Sequence, residues 1–122
     1  ILKTSAEDAA ALFGLTAPPD VARHLLGLGA KAVIITLGRE GVAIATAAGH
    51  ELIPGRQVAA VDATGAGDAF AGGFMAALAQ RPALSDHEVL RIAAAIAAFA
   101  VEGVGPAALL AADRAAVQRR LA

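Results

Sequence analysis

Cysteine is absent from the 122 residues. No disulfide framework, thiolate metal site or cysteine nucleophile is available, which fits a reducing compartment and makes a cytoplasmic location the expectation. Tryptophan and tyrosine are absent too, and aromatics reach only 3%. A surface that stacks single-stranded bases is hard to build from so few rings. Neither sign of charge dominates: 10 basic and 11 acidic residues give a formal net charge of −1, and no basic run exceeds Arg119-Arg120. A nucleic-acid partner is therefore not expected. The longest apolar run, 92–101, is well short of the about 20 residues that span a bilayer. The opening residues lack a basic stretch followed by an apolar one, so neither a secretory leader nor a membrane partner is expected. His24, His50 and His87 show no metal-ligand spacing.

What is present is apolar and small. Hydrophobic residues make up 57% and mean hydropathy is +0.64, ample for a packed core and contrary to a disordered tail. The length suits one domain or part of one. The chain opens on Ile1 rather than Met, and the expectation is a fragment.

Local signals divide the chain into helices and strands. Residues 6–13 predict a helix with Ser5 as N-cap, Glu7 and Asp8 in its first turn and Gly14 at its end. Pro18-Pro19-Asp20 breaks the chain, and 20–28 predicts a second helix. Lys31 to Leu37 carries Val33-Ile34-Ile35, the apolar β-branched run of a buried strand. After a turn at 38–41, residues 42–46 and 51–53 predict an antiparallel hairpin, and 57–61 a further extended segment. A long helix follows from about 64 to 79, closed by Arg81-Pro82. Ser85 and Glu88 form a capping box that launches a helix to about 101. Residues 103–106 read as a loop, and Asp113 caps a last helix to about 121. The class is α/β, with helices covering a sheet.

The chemistry concentrates at Thr64-Gly65-Ala66-Gly67-Asp68. Two glycines and an alanine just before a helix let a ligand approach the backbone. The unpaired N–H groups of the first helical turn carry partial positive charge and suit a phosphate, or the charge that develops as one is transferred. A carboxylate directly after such a loop would repel phosphate unless it accepted a proton from an attacking hydroxyl or faced a metal ion. Other glycine loops do not fit: a dinucleotide fingerprint would meet Phe70 at its third small position, and a Walker loop would meet Gly73 where its lysine belongs.

The run from Val61 to Phe70, followed by Gly72-Gly73-Phe74, is very similar to the C-terminal signature of ribokinase-like (PfkB-type) carbohydrate kinases. The resemblance implies Asp68 as catalytic base and the amides of Gly65, Ala66 and Gly67 as anion hole. It implies that Asp62 and the Thr64 carbonyl help to hold a monovalent cation such as K+. Ile35-Thr36-Leu37-Gly38-Arg39-Glu40-Gly41 resembles the family segment that lines the nucleotide, so Thr36, Gly38 and Gly41 join Gly65, Gly67 and Asp68 as expected ATP contacts. Leu2 to Asp8 resembles the region that assists Mg2+, with Asp8 one methylene shorter than the family's Glu. Ala93 to Pro106 resembles the wall of the adenine pocket, where Ala94, Ala95, Ala97 and Ala98 would leave a flat slot. Ala107 stands where some ribokinases complete the cation shell with Ser.

The resemblance implies a ribokinase-like three-layer α/β/α sandwich, with a mixed sheet, a hairpin and helices on both faces. Residues 1–122 would be a single C-terminal portion of that kinase domain, without the sugar-binding and lid half. The expected activity is phosphorylation of the hydroxyl of a small sugar or sugar acid by ATP with Mg2+, in the complete protein rather than in this piece alone. Alternatives are a non-catalytic nucleotide-binding or structural fragment, or a same-fold kinase acting on a nucleoside or a vitamin alcohol. A sheet edge left by the missing half would favour pairing between copies, a homo-oligomer.

Overall fold

The β-branched run Val33-Ile34-Ile35 forms the middle of β2 (Ala32–Thr36), an inner strand of a mixed four-stranded sheet. The fold comes from a computed structural model that describes residues 1–80 and 83–122. The helix end expected at Arg81-Pro82 lies outside the described residues. By contacts the chain divides into two compact units, Ile1–Gly55 and Arg56–Ala122.

In the first unit the sheet runs β1-β2-β3-β4. β1 (Leu2–Ser5) pairs parallel to β2, with Leu2 opposite Val33 and Ser5 opposite Thr36. β3 (Gly41–Thr46) and β4 (Gly49–Pro54) complete the sheet as an antiparallel hairpin. Two helices, α1 (Ala6–Phe13) and α2 (Pro18–Gly27), follow β1. Strand alternation sends Val33, Ile35 and Ala45 to one face, where they form a core with Ala9, Val21, Ala22 and Leu25. Leu25, Val33 and Ile35 are at most 2% exposed. Burying an aliphatic side chain of this size stabilises by about 1.5–3 kcal/mol, which is how the two helices are held to the sheet. Ile34 and Val42, on the opposite face, are buried as well.

The second unit is helical. α3 (Ala66–Leu78) packs on α4 (Asp86–Val101), and α5 (Ala107–Ala111) and α6 (Arg114–Leu121) pack on α4 in turn. Gly73 makes the α3–α4 approach close: a Cβ there would lie 2.9 Å from Ile96 Cδ1 and 3.2 Å from Ala93 Cα. The capping box at the start of α4 is formed in full, with the Ser85 hydroxyl accepting from the Glu88 N–H and the Glu88 carboxylate accepting from the Ser85 N–H. No helix among the described residues is long and apolar enough to cross a membrane.

The α/β class, the mixed sheet and the hairpin are as the sequence predicts, and four local readings need correction. Residues 2–5 form a strand that the short, half-polar stretch Leu-Lys-Thr-Ser did not announce. α2 begins at Pro18, not Asp20, because proline fits the first helical turn, where its missing N–H is not needed. Residues 57–61 form no strand: the Val61 N–H is instead bonded to the Val101 carbonyl at the end of α4. The short α5 follows the 103–106 loop, where the sequence predicted no helix before the one capped by Asp113.

Candidate active site

The loop from Asp62 to Gly65 is built by its own hydrogen bonds. The Asp62 carboxylate accepts from the Thr64 backbone N–H at 2.9 Å, a turn that mimics a backbone hydrogen bond. That N–H, helped by the Thr64 hydroxyl and the Gly105 backbone, holds the Asp62 carboxyl below the ordinary aspartate range, against a smaller opposing effect of burial. Gly65 then takes φ +81°, the left-handed conformation that favours glycine, and serves as N-cap of α3 without a side-chain cap. No side-chain oxygen therefore caps the first-turn N–H groups of α3. Among the three amides expected in the anion hole, that of Ala66 already donates to the Ala63 carbonyl at a long 3.2 Å. Gly65 and Gly67 are exposed, and Ala66 is half-buried.

Asp68 lies in the first turn of α3, exposed, one residue after Gly67. It stands on the wall of an open groove of about 520 Å³. Gly65, Asp68, Ala69, Gly72, Gly73 and Ala76 form one side of this groove, and Ile96 of α4 and Leu109 of α5 the other. The six residues from the loop and α3 recur at three- and four-residue spacing, so they form one stripe along the helix. No atom outside the helix lies within 4 Å of where a Gly72 Cβ would point, so that glycine keeps the groove open rather than serving packing. A helix start without a side-chain cap, a carboxylate and one wall of a mostly apolar groove thus meet on one element; helix starts of this kind suit anions.

Of the alanines expected to wall the adenine pocket, Ala95 is buried, and the α4 residue that lines this groove is Ile96. Ala107 is exposed at the first position of α5 and brings only a methyl group. Asp62 and Thr64 are in the same unit as Asp68, on the loop that enters α3.

The remaining candidates lie in the first unit. The register that pairs Ser5 with Thr36 sets the start of α1 beside the end of β2. Ser5 caps α1 by accepting from the Asp8 N–H at 3.0 Å, so Asp8 is an exposed first-turn residue at that end of the sheet. Thr36 is half-buried there, and its hydroxyl reaches the Thr4 carbonyl only at 3.5 Å. Gly38 opens a 3-10 turn (Gly38–Glu40) with φ +58°, and nothing lies within 4 Å of its missing Cβ. Gly41 is different. Its Cβ would lie 2.0 Å from the Ile53 carbonyl oxygen and 2.5 Å from the Gly55 nitrogen. Its lack of a side chain makes room for the chain's own β4 backbone. The ends of parallel strands, where Thr36 and Asp8 stand, are where α/β sheets bind ligands.

Residues 1–112 match the family model of the pfkB family carbohydrate kinases. The chain belongs to that family. Among its pfkB-type relatives is the ATP-dependent 6-phosphofructokinase of Thermoanaerobacterium thermosaccharolyticum, 38% identical over 107 residues, which are 86% of this chain and 32% of the relative. The crystal structure of aminoimidazole riboside kinase from Salmonella enterica, complexed with aminoimidazole riboside and an ATP analog, superposes with a TM-score of 0.87 at 32% identity. It is matched over 99% of this chain and 42% of its own. The fructokinase of Vibrio cholerae O395, in its fructose, ADP and calcium ion bound form, superposes with a TM-score of 0.85 at 27% identity, over 99% of this chain and 41% of its own. The pfkB chain described here thus has the ribokinase-like fold of these kinases, and spans about a third of the length of the curated relative.

Sequence reasoning missed Ile96, Leu109 and the groove they close. The signal for it was present in the small-residue stripe of α3.

Proposed function

We propose that the complete protein transfers the γ-phosphoryl group of ATP to a hydroxyl of a small sugar or sugar acid, with Asp68 as general base. The observation that carries this reading is the position of Asp68: exposed, in the first turn of an uncapped helix, beside Gly67 and on the wall of an open groove. The substrate hydroxyl gives its proton to the Asp68 carboxylate as its oxygen bonds to the γ-phosphorus. The bond from that phosphorus to the bridging oxygen breaks, and ADP leaves. The backbone N–H groups of Gly65, Ala66 and Gly67 face the charge that gathers on the transferring group, with Ala66 exchanging its long bond to Ala63 for the phosphoryl oxygen. Asp8 would assist the placement of Mg2+ bound to ATP, an ion that would supply neutralisation of phosphate charge. Thr36, Gly38 and Gly41 contact the nucleotide on the first unit.

A monovalent cation would find two donors in the second unit, the Asp62 carboxylate and the Thr64 carbonyl. The Asp62 carboxylate, held ionised by the Thr64 N–H, suits such an ion. Ala107 adds no oxygen to it. Residues 1–122 act as the nucleotide and base portion of the kinase domain, and the part of the protein beyond them provides the sugar pocket.

A nucleoside substrate is the second reading, favoured by the 0.87 TM-score to a kinase complexed with aminoimidazole riboside. The experiment that separates the two supplies the complete protein with ATP, Mg2+ and a panel of hexoses, sugar acids and ribosides, and follows ADP release. Turnover on a sugar or sugar acid supports the first reading. Turnover confined to ribosides supports the second, and none on any alcohol overturns both.

A further inference from the structure

We propose that Arg120, on α6, is a positioning residue for the loop that enters α3. The catalytic part of this inference rests on the kinase reading above; the structural part does not.

α6 has no buried residue, yet Arg120 leaves the surface. Its side chain is 17% exposed and that of Glu102 28%. Arg120 Nη2 donates to both Glu102 carboxylate oxygens, at 2.9 and 2.7 Å. Its guanidinium lies 3.5 Å above the centre of the Phe99 ring. Exposed ion pairs order little, but a covered pair with both oxygens engaged and a ring beneath the cation fixes its two ends against each other. The Arg91 guanidinium donates to the Leu121 carbonyl, so α4 also holds the last turn of α6.

Glu102 is the C-cap of α4, directly after Val101. The Val101 carbonyl accepts from the Val61 N–H at 2.7 Å and from the Asp62 N–H at 3.2 Å. One helix end therefore carries two anchors on adjacent residues, the α6 clamp on Glu102 and the loop on Val101. From Asp62 the tether continues through the carboxylate to the Thr64 N–H and so to Gly65. Removing the guanidinium leaves a half-buried Glu102 charge unpaired. Glu102 then turns toward water, and the carbonyl beside it loses its fixed direction.

The test uses the complete protein with Arg120→Met, which keeps the aliphatic stem over Phe99, and Arg120→Lys, which keeps the charge. Hydrogen-exchange mass spectrometry reads the peptide 59–65 against peptides inside α3 and α4. Arg120→Met is expected to speed exchange in 59–65 roughly tenfold while the helix interiors change little, with Arg120→Lys in between. In turnover, kcat falls roughly tenfold or more with the KM for ATP nearly unchanged, because a misplaced loop loses alignment before it loses binding. Unchanged exchange in 59–65, or equal acceleration throughout α3 and α4, overturns the proposal. If Arg120→Met does not fold, Glu102→Gln is read on the same peptide. Local loosening there supports the tether, and intact protection overturns it. A wild-type protein that phosphorylates nothing overturns the kinase reading, while the exchange data still decide whether Arg120 holds the loop.

Discussion

Gly41→Ala asks whether a glycine at a candidate nucleotide strand leaves room for a ligand or for the chain itself. The added Cβ would meet the Ile53 carbonyl oxygen at 2.0 Å, the Gly55 nitrogen at 2.5 Å and the Pro54 carbonyl carbon at 2.8 Å. All three atoms are backbone, so no rotamer change relieves the contact. Gly41 also has φ +115° and ψ −135°, a region nearly closed to other residues. The conformational part costs about 1–3 kcal/mol. Overpacking adds about 1–3 kcal/mol. The sum of roughly 2–6 kcal/mol is a large share of the 5–15 kcal/mol that stabilises an ordinary protein. Gly38→Ala is the control: with φ +58° and open space around it, only the left-handed cost of about 1–2 kcal/mol applies. The chain has neither Trp nor Tyr, so urea unfolding is followed by far-UV circular dichroism. Calorimetry gives ATP affinity in parallel. Gly41→Ala should unfold at markedly lower urea than Gly38→Ala. A Gly41→Ala variant that loses less than about 1 kcal/mol yet binds ATP weakly would refute the reasoning, since such small losses belong to sites without a packing role.

Two further perturbations bear on the second unit. Ser85→Ala should destabilise α4 by about 1 kcal/mol, the usual effect of losing an N-cap, as measured by urea titration. The Ser85 N–H and hydroxyl hold the Glu88 carboxyl below its ordinary range. Its contribution is therefore full above the unfolded value and fades as the pH falls through the depressed folded value, so the Ser85→Ala deficit should shrink in acid. A deficit that grows on acidification would contradict that sign. Asp62→Ala removes the acceptor of the Thr64 N–H, and exchange at that amide should speed up at neutral pH. In the wild type the same loosening should appear only in acid, once the pH falls through the depressed Asp62 value.

The sequence was most legible where chemistry and local structure coincide. Two glycines before a carboxylate fixed the start of α3, and a β-branched run marked β2, because each pattern has few alternative solutions. Ser85 with Glu88 marked α4 for the same reason. β1 was hidden because four half-polar residues become a strand only when β2 lies alongside to pair with them. Residues 57–61 misled in the opposite way: their content is strand-like, but no strand forms and Val61 bonds to a helix end. At Gly41 the sequence shows that a side chain is missing, not that the β4 backbone fills its place. The α3 stripe of small residues marked one wall of the groove beside Asp68, but the other residues that line it, Ile96 and Leu109, come from two other helices, and such tertiary neighbours leave no local trace.

The central claim is that Asp68 takes the proton from the substrate hydroxyl. Asp68→Asn keeps the size of the side chain and removes its basicity. In the complete protein, on whichever alcohol the wild type phosphorylates, kcat should fall by about 10²–10⁴, the range for losing a general base, with ATP affinity by calorimetry nearly unchanged. An Asp68→Asn enzyme with wild-type kcat would contradict the account.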